Sequence, residues 1–254
     1  MFDSGVGGLT VLGAMWTALP HHDTIYLGDT ARVPYGTKSA GIVTRYAVEI
    51  ADFLVRQGIE LLVVACNTAS SVALPELRKR FDVPVVGVVE PGVRGALRET
   101  RSGRIGVIGT EGTVRSDAYG KSLAAGRPDV HVRSVACPLF VPLAEQHWLD
   151  GEIAHAIAAR YLAPLKEARV DTLILGCTHY PLLKGVIHDV MGPDVRLIDS
   201  ATETAEEVSS LVGGPGTPRR PTRRLFTTDL PERFVRVGTN FLGEDISHTE
   251  LVTF

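Results

Sequence analysis

The sequence is poor in cysteine and in aromatic residues and nearly balanced in charge, and each shortage narrows what the chain can be. Three cysteines in 254 residues (Cys66, Cys137, Cys177) cannot build a disulfide scaffold; an odd count suits a reducing compartment, where thiols react or fill cores. There is no C-x-x-C pair, and Cys177-x-His179 stands without further ligands at useful spacing, so no metal site is expected. No apolar run approaches the roughly 18 residues needed to cross a bilayer. The start, Met1-Phe2-Asp3-Ser4, lacks a charged region followed by an apolar one. The expectation is a soluble, cytoplasmic protein with no membrane partner. Lys plus Arg number 26 against 29 Asp plus Glu, and a net charge of −3 gives no global footprint for nucleic acid. With 44% hydrophobic, 22% charged and 6% aromatic residues, the composition excludes disorder and collagen-like repeats.

What is present is an alternation. Short apolar runs fall at Thr24–Leu27, Leu61–Ala65, Val83–Val89, Ile105–Ile108, Val130–Val135, Leu173–Leu175 and Val195–Ile198. Leu61–Ala65 and Leu173–Leu175 are solid rather than alternating, as suits strands covered on both faces. Helix-like stretches lie between them, among them Ser39–Gln57, Glu152–Ala168 and Ala201–Val212, with stops at Gly58 and Gly192-Pro193. Strand–helix alternation predicts an α/β fold with parallel sheets. Gly213–Arg224 (GGPGTPRRPTRR) reads as a solvated loop, and a short βα tail follows at Leu225–Thr227 and Pro231–Leu242.

The chain also resembles itself. Leu61-Leu62-Val63-Val64-Ala65-Cys66-Asn67-Thr68 matches Thr172-Leu173-Ile174-Leu175-Gly176-Cys177-Thr178-His179 at an offset of 177 − 66 = 111 residues. Two similar α/β halves would each present one cysteine at the carboxyl end of a strand, where open α/β sheets bind ligands. Backbone N–H groups at such a junction favour a thiolate while desolvation opposes it. Two thiols suit a reaction that removes a proton from one face of a carbon and returns it to the other. Asp3, Ser4, His179 and Glu145 are the candidate partners; Cys137, in Ala136-Cys137-Pro138, reads as core or strand end. The run Asp3-Ser4-Gly5-Val6-Gly7-Gly8 is not G-x-G-x-x-G, so a dinucleotide is not expected. Its N–H groups could bind a carboxylate, and a tight turn needing positive φ explains the glycines equally well.

Several longer segments, in order, resemble the glutamate racemases. They are Phe2–Thr10, Gly28-Asp29-Thr30-Ala31-Arg32-Val33-Pro34-Tyr35-Gly36, Ala65-Cys66-Asn67-Thr68-Ala69-Ser70 and Leu175-Gly176-Cys177-Thr178-His179-Tyr180-Pro181-Leu182-Leu183. Agreement continues through Cys137–Leu143 and Phe241-Leu242-Gly243 and spans nearly the whole chain. The resemblance implies two similar domains, each a mainly parallel sheet flanked by helices, with the active site in the cleft between them. The first would comprise residues 1–90 plus 205–254, with Cys66, and the second residues 91–204, with Cys177. It implies cofactor-independent racemisation of glutamate, in support of peptidoglycan synthesis. Cys66 would take the Cα proton from the D-enantiomer, assisted by Asp3, and Cys177 from the L-enantiomer, assisted by His179 with Glu145. Substrate contacts would come from Asp3, Ser4, Tyr35, Gly36, Asn67, Thr68, Thr178 and His179, with Thr113 and Thr110 as further candidates. Glutamate would be the small-molecule partner, with no nucleic acid or membrane involved; a homodimer is compatible.

Two departures from the family pattern carry expectations of their own. The family usually has several residues of apolar strand before the Asp, so Asp3 and Ser4 are expected on a frayed end. Gln146-His147 follow Glu145 where the family often has Glu-Gly, so the helix carrying the acid is expected to enter differently. The alternatives are aspartate racemase or another family member, a pyridoxal phosphate enzyme built on one of five lysines, and a non-catalytic dicarboxylate-binding protein.

Overall fold

The computed structural model describes residues 1–254 as ten strands in two sheets, and every strand pair is parallel. In chain order the strands are β1 (Phe2–Asp3), β2 (Thr24–Gly28), β3 (Leu62–Val64), β4 (Val85–Gly87), β5 (Arg104–Gly109), β6 (His131–Ala136), β7 (Thr172–Gly176), β8 (Arg196–Asp199), β9 (Arg223–Thr227) and β10 (Glu250–Leu251). The first sheet runs β10-β9-β2-β1-β3-β4 and the second β6-β5-β7-β8. Each is flanked by helices, giving two α/β domains.

The solid apolar runs divide between two cores because successive side chains on a strand point to opposite faces. Val63 and Ala65 join one cluster with the helices Leu9–Ala18, Ser200–Val212 and Pro231–Leu242. Leu62 and Val64 join another with Ala40–Arg56 and the pair Asn67–Val72 and Leu74–Arg80. In the second sheet Leu173 and Leu175 face the helices Glu152–Glu167 and Lys184–Met191, while Ile174 faces Val89–Glu99 and Ala118–Gly126. Helix Ser200–Val212 leaves the second sheet directly after β8, capped by Asp199, whose carboxylate accepts from the Ala201 N–H at 2.9 Å. It then packs on the first sheet's helices, and the exposed segment after Gly213 delivers the chain to β9.

The expected frayed start is not what forms. β1 lies in the interior of the first sheet, paired with β2 on one side and β3 on the other. The Met1 amine donates to the Ile25 carbonyl at 2.8 Å, Ala65 N–H donates to Phe2 O at 2.9 Å and Asp29 N–H to Asp3 O at 3.0 Å. Two residues suffice because both edges of the strand are hydrogen-bonded and Phe2 is fully buried. The three motif glycines also differ from expectation: none of Gly5, Gly7 or Gly8 has positive φ. His147, where the family often has glycine, does take a left-handed φ of +58° just after helix Phe140–Glu145.

Replacing Phe2 by Ala removes a buried aromatic from the sheet interior and should cost about 3–5 kcal/mol. Urea denaturation at constant m-value measures it; a loss below about 1 kcal/mol would contradict a central role for β1.

Candidate functional site

The carboxyl ends of the two sheets meet. β1 ends at Asp3, β3 leads through Ala65 to Cys66, β5 leads to Thr110 and β7 leads to Cys177. The contact is close at Gly7, where a Cβ would lie 2.3 Å from Thr178 Oγ1 and 2.4 Å from His179 Nδ1. These glycines are therefore explained by close approach: Gly7 makes room for the other domain, and a Cβ at Gly8 would meet Asp3 Cβ at 2.4 Å. Tyr26 pins the loop by donating its hydroxyl to Gly5 O at 2.8 Å.

Cys66 is 5% exposed and stands at the start of helix Asn67–Val72. Its Sγ accepts from the Ala69 N–H at 3.5 Å and its thiol donates to Ser4 Oγ at 3.5 Å. Burial, seconded by the negative charge of Asp3, pushes this thiol up to about 12, so it is neutral at pH 7. Asp3, fully buried, accepts from the Gly5 N–H at 2.9 Å and from Thr178 Oγ1 at 3.4 Å. Burial raises its carboxyl above the usual range, although His179, the Gly5 and Gly8 N–H groups and Thr178 all oppose the shift. The N–H groups expected for a substrate carboxylate thus serve Asp3.

Cys177 is 6% exposed, and its Sγ lies 3.8 Å from His179 Nδ1. His179 Nε2 lies 3.3 Å from Glu145 Oε1, so both ring nitrogens face acceptors. Burial works against charge on this imidazole, yet Cys177 and Glu145 together lift it to about 10. The hydrogen bond from His179 holds Glu145 below its usual range, against the effect of partial burial and with help from Arg233. The ring of Phe241 meets His179 edge-on at 5.3 Å.

The contacts Cys66–Ser4, Asp3–Thr178, Cys177–His179 and His179–Glu145 thus gather at the domain interface, joined through the adjacent residues Asp3-Ser4 and Thr178-His179. Other expected residues line the joint. Thr68 Oγ1 lies 2.9 Å from Thr110 Oγ1 and 3.2 Å from Thr113 Oγ1. Asn67 donates its amide to Tyr119 Oη at 2.7 Å, and that oxygen lies 3.3 Å from Ser200 Oγ. Tyr35 donates its hydroxyl to Asp29 and is buried in the first domain, in the same core cluster as Cys66. Gly36 reaches the interface, where a Cβ would meet Thr110 Cβ at 2.6 Å. Cys137 is buried core, its thiol donating to Val135 O at 3.7 Å. No three His, Cys, Asp or Glu side chains gather as a metal-ligand set.

Four residues at the joint escaped the sequence reading. Thr10 donates to Thr178 O at 2.9 Å, and its place in the quoted segment Phe2–Thr10 was a usable signal. Phe241 had the same kind of signal in Phe241-Leu242-Gly243, whereas Tyr119 and Arg233 had none, because their partners lie in distant parts of the chain.

The family described as Asp/Glu/Hydantoin racemase matches residues 11–208. A glutamate racemase of Geobacter metallireducens is 59% identical over 248 residues, covering 96% of this chain and 92% of the relative. One from Aquifex aeolicus is 48% identical, covering 97% and 94%. Among solved structures, Bacillus anthracis glutamate racemase isoform RacE1 superposes with a TM-score of 0.95 at 40% identity, covering 100% of this chain and 96% of that one. The Francisella tularensis glutamate racemase in complex with D-glutamate gives 0.93 at 36% identity, covering 99% and 95%.

Replacing Gly7 by Ala should wedge the interface open and speed labelling of Cys66 and Cys177 by a thiol reagent by about an order of magnitude. Mass-resolved labelling kinetics read this out; unchanged rates would mean that the two domains do not depend on that approach.

Proposed function

Because the chain belongs to the Asp/Glu/Hydantoin racemase family and is an amino-acid racemase of the glutamate racemase kind, we propose that it interconverts L- and D-glutamate with two cysteines and no cofactor. Cys66 takes the Cα proton of the D-enantiomer and Cys177 that of the L-enantiomer, each thiol donating when the other accepts. D-glutamate made in the cytoplasm then serves peptidoglycan synthesis. The observation that carries the reading is that Cys66 and Cys177, both buried, stand at one interdomain seam, where Cys66 meets Ser4, Asp3 meets Thr178 and Cys177 meets His179.

The chemistry asks for one neutral and one charged thiol. Burial favours the neutral form at Cys66, ready to donate. An imidazolium 3.8 Å from Cys177 Sγ is the counter-charge that a thiolate there needs. In that state the protein is poised to take the proton from L-glutamate; after turnover the roles exchange. The Cα proton of an amino acid is a very weak acid, so a thiolate removes it only where the developing negative charge is stabilised by fixed donors in a site that excludes water. Ser4, Asn67, Thr68, Thr113, Thr178 and the peptide of Gly36 supply the polar groups that would surround the substrate's carboxylates and ammonium. The same reading divides the chain into residues 1–90 plus 205–254 and residues 91–204; the membership of the two sheets supports that division.

L- and D-glutamate and L- and D-aspartate, incubated separately without added cofactor and followed by chirality, test the substrate. Glutamate should racemise from both sides and aspartate should be much slower; the reverse preference would overturn the glutamate assignment. Cys66→Ser and Cys177→Ser should each lower racemisation by about 10²–10⁴-fold. The fall must appear in kcat/KM for both directions, since the enantiomers have equal free energy. A near-normal rate in either variant removes that thiol from the mechanism. Activity should also decline as pH rises through about 10, where His179 gives up the charge that its folded site holds.

A further inference from the structure

Glu145 divides its carboxylate between the two domains. Oε1 faces His179 Nε2 at 3.3 Å within the second domain, and Oε2 accepts from Arg233 Nη2 at 3.1 Å. Arg233 belongs to helix Pro231–Leu242, whose Phe234 and Val237 are buried in the core of the first domain. Glu145 is the last residue of helix Phe140–Glu145, followed by a turn with His147 at φ +58° and Gly151 at φ +88°. A flexible carboxylate at a helix end, held by a single 3.3 Å contact, is poorly fixed; the second contact fixes it. The same helix touches the imidazole itself. Arg233, Val237 and Phe241 recur every four residues on one face, and Phe241 packs edge-on against His179 at 5.3 Å.

We propose that Arg233 is a positioning residue: it grips Glu145 from the opposite domain and so holds that carboxylate on His179 when the cleft is closed. Assembly of the Cys177 half-site is thereby tied to domain closure. The inference rests on the assignment of Cys177, His179 and Glu145 to one half of the reaction. Arg233 is 56% exposed on its side chain, so the ion pair adds little to stability, and its consequence is orientation. The charged or titratable groups around this contact are Cys177, Asp3 and Glu145 facing His179, His179 and Arg233 facing Glu145, and Asp229 lining the same crevice beside Val33 and Leu230.

The test is a double-mutant cycle with an NMR titration of His179. Arg233→Gln should lower kcat/KM for glutamate about three- to tenfold, and Arg233→Lys should restore most of it. In a Glu145→Gln background, Arg233→Gln should have no further effect. The His179 titration carries the sign. Deleting a positive charge while Glu145 stays in place would raise the His179 pKa. Releasing Glu145 lowers it, and lowering is the expected result. A wild-type rate for Arg233→Gln beside a slow Glu145→Gln, fully additive losses, or a raised His179 titration would each overturn the inference while leaving the proposed function intact. A wild-type rate for Glu145→Gln would instead remove Glu145 from the reaction, and the assignment beneath the inference with it.

Discussion

A thiol taken out of water loses the solvation that stabilises its anion, and only a nearby positive charge or a set of fixed donors can replace it. Both site cysteines are buried at the seam between the two domains, so each depends on what surrounds it there. At Cys66 the surroundings are Ser4, the Ala69 N–H and the negative Asp3, and the neutral thiol wins. At Cys177 the neighbour is an imidazole whose charge Cys177 itself and Glu145 favour together, against burial. Two chemically identical side chains are thereby set in different environments, and an acid and a base can coexist at one pH on the proposed reading.

The seam itself is polar and closely fitted. Thr10 reaches Thr178 O, Asp3 accepts from Thr178, Thr68 meets Thr110 and Thr113, Asn67 meets Tyr119, and Glu145 meets Arg233. Every one of these contacts joins a residue positioned by the first sheet or its helices to one positioned by the second. Separating the domains breaks them together and returns the groups to water, so the electrostatic setting of the thiols exists only in the closed form. The absence of a side chain at Gly7 is what lets the second cysteine's loop approach so nearly.

Much of this was legible in the sequence because strands buried on both faces leave solid apolar runs. Leu61–Ala65 and Leu173–Leu175 each fell on a strand, and Pro231–Leu242 is a helix with those bounds. The repeated strand–Cys pattern is borne out as geometry, since Cys66 follows β3 and Cys177 follows β7, both buried. Other features left no local trace. β1 is only two residues long, and its central place comes from hydrogen bonds to β2 and β3, which no periodicity announces. The glycine motif is compatible with a turn of positive φ, whereas Gly7 answers a contact with residues some 170 positions away and Gly8 a close approach to Asp3. Glu145 and Arg233 are 88 residues apart and meet only because the domains dock.

Two thiols addressing opposite faces of one carbon would leave a signature in isotope transfer from solvent, which reads the proposed arrangement directly. Racemisation begun in deuterated water from each pure enantiomer, stopped early, should give product carrying one deuterium at Cα while the remaining substrate stays unlabelled. Deuterium appearing at once in recovered substrate, or product formed without it, would contradict the two-thiol mechanism.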